Sequence, residues 1–160
     1  MPLKATKVFS IKWEGFPSNF KDGPGNPLNY IGHVIGHEGK NSLLSCLIRK
    51  NLATNVMAGP SIRMQQTFAG FYIDLTLTDK GMAEWQEVIR LTFAHINKIR
   101  QKGAQSFYLE ELKWKKMIEF YFSPPKSSKS ISVDYCQRLA EVVEDVDKQS
   151  DILIRPYLVK

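Results

Sequence analysis

The sequence predicts an α+β protein in which an antiparallel or mixed β-sheet is covered by several α-helices. Short segments that alternate polar and apolar residues, at 7–16 and 71–77, indicate half-buried strands. Longer segments, at 85–99 and 105–122, repeat apolar residues at helical spacing. The predicted order is one strand, two helices, two strands and then long helices, which is typical of the α+β class. The length of 160 residues suits a single domain spanning 1–160.

The first strand is predicted over Lys7 to Phe16 and should stop at Pro17. A loop of turn-forming residues follows. Asn26-Pro27 then resembles a helix cap with proline in the first turn, so a helix should begin there. Gly36 weakens this helix, and Gly39-Lys40-Asn41 should end it.

A second, short helix is predicted over Leu43 to Lys50, capped by Asn41 or Ser42. Its apolar residues have the spacing of a buried stripe and are Leu43, Leu44, Leu47 and Ile48. The apolar segment Ala53 to Ala58 should form a strand that breaks at Gly59-Pro60.

Another strand is predicted over Met64 to Leu77, and Thr78–Gly81 should open one long helix. Gly103 is a suitable C-cap for that helix. The residues expected to face the core are Trp85, Val88, Ile89, Leu91, Phe93, Ile96 and Ile99.

The last part of the chain should be helical and interrupted by one loop. An amphipathic helix is predicted over Gln105 to Phe122 and should stop at Ser123-Pro124-Pro125. The serine- and lysine-rich residues up to Ser130 should form the loop, and Ile131 to Val146 should form the next helix. The tail from 152 to 159 has no complete pattern.

Composition excludes several classes of protein. The apolar and charged fractions are those of a globular protein, no apolar run has the length of a membrane span, and the start lacks a signal-peptide pattern. Cys46 and Cys136 fit no metal or redox spacing, so two free thiols in a cytoplasmic protein are expected. The net charge of +6 raises the possibility of nucleic-acid binding. The basic residues are scattered, however, and the densest cluster, Lys113–Lys116, is typical of a solvated helix face.

The most informative stretch holds His33 and His37, which have the i, i+4 spacing of helical zinc ligands. Inverted-zincin peptidases carry His-x-x-Glu-His, in which the glutamate is the general base. Here Gly36 occupies the position of that base. We therefore predict no catalytic residues and no metal site in this chain. No nucleophile motif is present, and His95 is expected to be a packing or surface residue.

The stretch from Asn26 to Gly39, followed by Ser42-Leu43-Leu44-Ser45, resembles the second domain of insulysin-like metallopeptidases of the pitrilysin family. The similarity continues through Asp74–Gly81 to about Phe122 and fades after Ser123. The resemblance implies a fragment of a larger zinc enzyme whose first domain alone carries the zinc motif. It also implies that this second domain is catalytically silent, and Gly36 agrees with that role.

The same resemblance implies a substrate-binding exosite that anchors the free amino terminus of extended peptides by strand addition. It places the site on His33, Gly36 and Glu38 and on the strand residues Val56, Met57 and Ala58. Glu38 would pair with the peptide α-ammonium, His33 would contact its first residues, and Gly36 would permit close approach of backbone. The other domains of the parent peptidase are the second expected partner.

Two other functions stay open at this point. A basic nucleic-acid-binding module would rest on the net charge and on the Lys113–Lys116 cluster. A purely structural element would serve contacts between domains, and exposed apolar patches would indicate it.

Overall fold

The computed structural model describes residues 7–17, 27–61, 68–122 and 127–140. The chain divides into two compact units, Met1–Tyr108 and Leu109–Lys160. The expectation of a single domain over 1–160 stays a prediction.

The first unit is built on a three-stranded antiparallel sheet in the order β1-β3-β2. Strand β1 spans Val8–Pro17, β2 spans Ala53–Ser61 and β3 spans Phe68–Leu77. The central strand β3 pairs with β1 on one side, where Ile11 faces Ile73, and with β2 on the other, where Ala58 faces Ile73. The predicted α+β class is confirmed, and the sheet is antiparallel rather than mixed.

Six helices occur in the described ranges. They are α1 (Pro27–Ile35), α2 (Leu43–Arg49), α3 (Asp79–Ala83), α4 (Trp85–Lys102), α5 (Ser106–Phe122) and α6 (Ser128–Ala140). The long helix predicted after Thr78 is two helices, because the backbone leaves helical geometry at Glu84 (φ −105°, ψ 34°). Helix α6 begins at Ser128, inside the predicted loop, so that boundary was wrong. Residues 64–67 of the predicted strand, the helix prediction beyond 140 and the tail at 152–159 lie outside the described residues.

Side-chain caps and a glycine fix three helix ends. The Ser42 hydroxyl accepts a hydrogen bond from the Ser45 N–H at 3.1 Å, which settles the predicted choice of cap in favour of Ser42. The Thr78 hydroxyl accepts from the Gly81 N–H at 2.9 Å and begins α3 in the same way. Gly103 closes α4 as predicted, with a φ of 67° and its N–H donated to the Ile99 carbonyl.

The hydrophobic core lies between the helices and one face of the sheet. Its buried residues are Leu28, Ile35, Leu43, Leu44, Leu47, Leu52, Ala53, Val56, Ala69, Phe71, Ile73, Leu75, Leu77 and Val88. Each fully buried aliphatic side chain stabilises the fold by about 1.5–3 kcal/mol relative to its exposed state. Leu47, Ile73, Leu75 and Val88 are completely inaccessible to solvent, so the middle of β3 and the helices above it form the centre of the unit.

In α2 and α4, three predicted core residues are exposed. Ile48 is 54% exposed because α2 has only two turns, and Leu43, Leu44 and Leu47 already occupy its inner face. Trp85 is 46% exposed since it begins α4 just after the break at Glu84. Phe93 is 47% exposed, although its ring makes an edge contact with Trp13.

Strand β2 continues beyond its predicted break at Gly59-Pro60 and ends at Ser61. Pro60 is paired with Phe71 in the ladder. Proline is tolerated here because β2 is an edge strand of the described sheet, with a neighbour on one side only. Strand β1 also exceeds its prediction and includes Pro17, with a register shift between Trp13 and Phe16.

In the second unit, Leu112 of α5 is buried, whereas several apolar residues of the same helix are exposed, namely Leu109, Trp114, Ile118, Tyr121 and Phe122. In the basic cluster 113–116, Lys116 donates a hydrogen bond to Glu119 at 3.0 Å. Across the described ranges, no helix combines the length and the apolar character that crossing a bilayer requires.

Candidate functional site

Helix α1 crosses strand β2 at almost direct backbone contact. A Cβ atom added at Gly32 would lie 2.8 Å from the Gly59 Cα and 2.9 Å from the Ala58 carbonyl oxygen. No side chain can occupy that space, because the opposing atoms belong to backbone that cannot rotate away. Glycine at position 32 therefore permits the close packing of α1 on β2.

Gly36 lies at the C-terminal end of α1 and beside the same segment of β2. Its N–H donates to the Gly32 carbonyl at 2.8 Å, one residue after the helix ends at Ile35. A Cβ atom at Gly36 would lie 3.9 Å from the Ala58 backbone nitrogen. The structure thus brings together two of the predicted site residues, Gly36 and Ala58, which are far apart in sequence.

The three predicted strand residues have different environments. The Val56 side chain is buried in the core, Ala58 is half-buried, and Met57 is 56% exposed. All three pair only with β3 in the described sheet. The opposite side of β2 is therefore an edge at which an added strand would find backbone N–H and C=O groups. Val56 contributes backbone only, since its side chain faces inward.

His33 belongs to a cluster of rings formed with His37 and Tyr108. Ring centroids are 6.4 Å apart for His33 and His37, 6.2 Å for His33 and Tyr108, and 5.4 Å for His37 and Tyr108. All three pairs are in edge-to-face orientation, which is favourable for aromatic rings. Both histidines are half-buried. The three rings therefore form an ordered surface at the C-terminal end of α1.

His37 is held by the backbone that follows it. Its Nδ1 accepts a hydrogen bond from the Gly39 N–H at 2.9 Å, so the neutral ring carries its proton on Nε2. A Cβ atom at Gly39 would lie 2.5 Å from the His37 Cε1. Gly39 consequently provides the room that this ring position needs.

The residues present do not fit a catalytic zinc ion. Helix α1 ends at Ile35, so His33 and His37 are not presented by one helical face as the i, i+4 interpretation required. The Nδ1 of His37 is already engaged by Gly39, and position 36 offers no carboxylate. Within the described ranges, no three His, Cys, Asp or Glu side chains are grouped as metal ligands. The prediction that the chain binds no metal remains open to measurement.

Glu38 is exposed and lies two residues beyond Gly36. Among the described residues its carboxylate has no ion-pair partner. A solvated carboxylate at this position is available to a cationic ligand at little cost in broken contacts.

Two contributors to this region were missed by the sequence reasoning. Gly32 was detectable, because Gly32 and Gly36 are four residues apart and small residues at that spacing permit close approach of a helix. Tyr108 had no local signal, since it reaches His33 from a helix that begins at Ser106. Tyr30 supports that approach: its hydroxyl oxygen accepts from the Gln105 N–H at 2.8 Å.

Comparisons with known proteins agree on one family. The family model described as the peptidase M16 inactive domain matches residues 4–116. Insulin-degrading enzyme of Drosophila melanogaster is 26% identical over 160 residues, covering 99% of this chain and 15% of that protein. Nardilysin of Pongo abelii is 28% identical over 162 residues, covering 99% and 14%. Human insulin-degrading enzyme is 30% identical over 135 residues, covering 84% and 13%.

Two solved structures share the fold. The crystal structure of pitrilysin superposes with a TM-score of 0.78 at 22% identity, covering 97% of this chain and 16% of pitrilysin. The crystal structure of a peptidase M16 inactive domain from Pseudomonas fluorescens gives a TM-score of 0.60 at 15% identity, covering 98% and 36%. The chain spans about one-seventh of the length of the curated relatives it matches.

Proposed function

The chain belongs to the peptidase M16 inactive domain family, and from this premise we propose that it is the substrate-binding domain of an insulinase-like zinc metalloendopeptidase. It anchors extended peptides by their free amino terminus, while a separate domain that holds the zinc cleaves them. The peptide adds as a strand to β2, and the residues that bind it are His33, Gly36, Glu38 and the segment 56–58.

The observation that carries this proposal is the edge of β2 together with the small residues above it. Within the described sheet, β2 pairs only with β3, so its other side can accept a strand through backbone hydrogen bonds. Gly32 lets α1 pack directly on β2 at Ala58 and Gly59, which places Gly36 and the end of α1 beside the edge strand. Pro60 has no N–H to donate, so the added strand ends before it.

The amino terminus is recognised by charge. The exposed Glu38 carboxylate accepts from the α-ammonium group, and such charge-assisted bonds are worth about 1.5–3 kcal/mol when they are desolvated. Because Glu38 is solvated, the pair is worth about 1 kcal/mol, which corresponds to about a fivefold effect on affinity. The His33–His37–Tyr108 cluster lies at the C-terminal end of α1, as Glu38 does, and it contacts the first side chains of the bound peptide.

The test is binding of a fluorescent ten-residue peptide to the isolated chain, followed by anisotropy. We expect measurable affinity for the free peptide and about fivefold weaker binding after N-acetylation or after Glu38→Gln. A peptide with N-methyl groups on alternate residues should not bind, because it cannot form the ladder.

Glu14→Gln is the matched control, since Glu14 is an exposed carboxylate on the opposite edge strand. That variant should bind as well as the parent protein. Equal affinity for free, acetylated and N-methylated peptides would remove both the anchor and the strand addition from the proposal.

A second candidate function, contact between domains, is favoured by one observation on α5. Trp114, Ile118, Tyr121 and Phe122 are spaced as one helical stripe and are 62%, 58%, 70% and 80% exposed. An apolar stripe of this kind is typical of a surface that another domain covers. It predicts that the isolated chain self-associates and that Trp114→Lys with Ile118→Lys restores a monomer in analytical ultracentrifugation. A monomeric parent chain at high concentration would argue against it.

A further inference from the structure

A cleft of about 250 Å³ lies between α2 and α4, on residues that the proposed function does not use. Its apolar wall is formed by Leu43, Leu91 and Ala94. The polar groups of Asn41 and Ser42 line one end. The Ser42 hydroxyl oxygen accepts from the Ser45 N–H, which leaves its own hydrogen available to a ligand.

Basic side chains dominate the charge of this cleft. Arg49 reaches it from the end of α2, and His95 and Lys98 reach it from α4. Of the described residues that line it, none is acidic. Neither Arg49 nor Lys98 forms an ion pair with any residue in the described ranges.

Neighbouring cations behave differently, and the contrast is informative. Lys50 and Arg90 both bond the Glu87 carboxylate, at 2.9 Å and at 2.6 and 2.8 Å, so these two cations share one counter-charge within the fold. Lys50 and Arg90 thus have an acidic partner, whereas Arg49 and Lys98 have none among the described residues.

We propose that this cleft binds a small phosphate-type dianion, either inorganic phosphate or the phosphoryl group of a small monoester. Arg49 and Lys98 are permanently charged and His95 can become charged, so together they suit a doubly charged anion better than they suit a singly charged carboxylate. The Arg49 guanidinium offers hydrogen-bond donors in a fixed planar arrangement, and the Lys98 ammonium offers a compact positive charge. The volume of the cleft is large enough for a phosphoryl group. The inference is independent of the peptide site on β2.

His95 provides a direct reporter of occupancy. Burial and, to a smaller extent, the charge of Lys98 lower the pKa of His95 below its usual value. An anion bound beside the ring favours the protonated form and should raise that pKa by about one unit. Among the three histidines of the chain, His33 and His37 do not line the cleft and serve as internal references.

The experiment is an NMR pH titration of the three histidine rings. It is carried out once in about 50 mM phosphate and once in chloride at equal ionic strength. We expect the His95 pKa to rise in phosphate while those of His33 and His37 do not change. Acetate should leave His95 as it is in chloride. A parallel series with methyl phosphate separates the two sources: an equal or larger shift assigns phosphate monoesters, and no shift assigns the free ion.

Variants test which cations hold the anion. Lys98→Gln and Arg49→Gln should each weaken phosphate binding about tenfold. Arg100→Gln removes the same charge from an exposed position of α4 that does not line the cleft, and it should have no effect. Unchanged His33 and His37 signals confirm that each variant is folded.

Three results would overturn the assignment. The His95 titration could be identical in phosphate and chloride, or all three histidines could shift alike, which indicates a general surface effect. Arg100→Gln could also weaken binding as much as Lys98→Gln does, and this would place the anion outside the cleft.

Discussion

Replacing Gly32 with alanine tests the contact on which the β2 site depends. The added methyl group would lie 2.8 Å from the Gly59 Cα and 2.9 Å from the Ala58 carbonyl oxygen. Both are backbone atoms of a paired strand, so the strain is relieved only if α1 moves away from β2. Overpacking of this kind costs about 3 kcal/mol at the upper end of its range.

Part of that cost is recovered, because alanine favours a helix by about 1 kcal/mol relative to glycine. The net loss in the free energy of unfolding should therefore be about 2 kcal/mol. For a protein of this size it corresponds to a fall of roughly 4–8 °C in Tm, or about 1 M in the urea midpoint. Far-UV circular dichroism during thermal and urea unfolding measures both.

Gly36→Ala is the matched control. Its methyl group would meet the Gly32 carbonyl oxygen at 3.1 Å and the Ala58 nitrogen only at 3.9 Å, so the cost should be below about 1 kcal/mol. If Gly32→Ala were as stable as the parent protein, or if both variants lost the same stability, the close approach of α1 to β2 would not be the reason for glycine at position 32.

Three further predictions concern the packing of the core, the pKa of Glu87 and the binding of zinc. Leu47→Ala should destabilise by about 2–5 kcal/mol because Leu47 is fully buried, whereas Ile48→Ala on the exposed side of α2 should cost less than about 1 kcal/mol in the same urea assay. Hydrogen bonds from Arg90, and then from Lys50, lower the pKa of Glu87 to about 2. The stability contributed by the ionised Glu87 carboxylate is therefore fully present above the unfolded-state pKa near 4.5 and is lost as the pH falls toward 2. Glu87→Gln should flatten the dependence of Tm on pH in that window. An unaltered profile would show that Glu87 contributes nothing to stability. The isolated chain should hold no stoichiometric zinc by elemental analysis and cleave no peptide, and one tightly held zinc per chain would refute this.

Periodicity predicted most of the elements because strands and helices here carry regular apolar patterns. It failed where geometry depends on distant parts of the chain. Neither glycine nor proline occupies the break between α3 and α4 at Glu84, and the apolar spacing continues through it. Pro60 indicated a strand end, yet the order of the strands makes β2 an edge, where proline is tolerated.

The site was predictable only in part. Gly36 and Ala58 came from the resemblance to a family, and the structure places them next to each other. The ring contacts of Tyr108 with both histidines are long-range, so no local pattern contains them. The helical interpretation of His33 and His37 failed because α1 ends at Ile35, where Gly36 and Gly39 favour leaving the helix.

The order of the strands also has a consequence for how the chain acquires its structure. The central strand β3 is the last of the three in sequence, so within the described sheet β1 has no partner until β3 has been made. During synthesis, α1, α2 and β2 are therefore made before the strand with which β1 pairs in this sheet. Pairing of Val8 with Thr76 closes a long loop and is expected to be slow, whereas Ser61 and Gly70 are near neighbours. Within the described sheet, β2 and β3 should therefore pair first, and β1 should join them last.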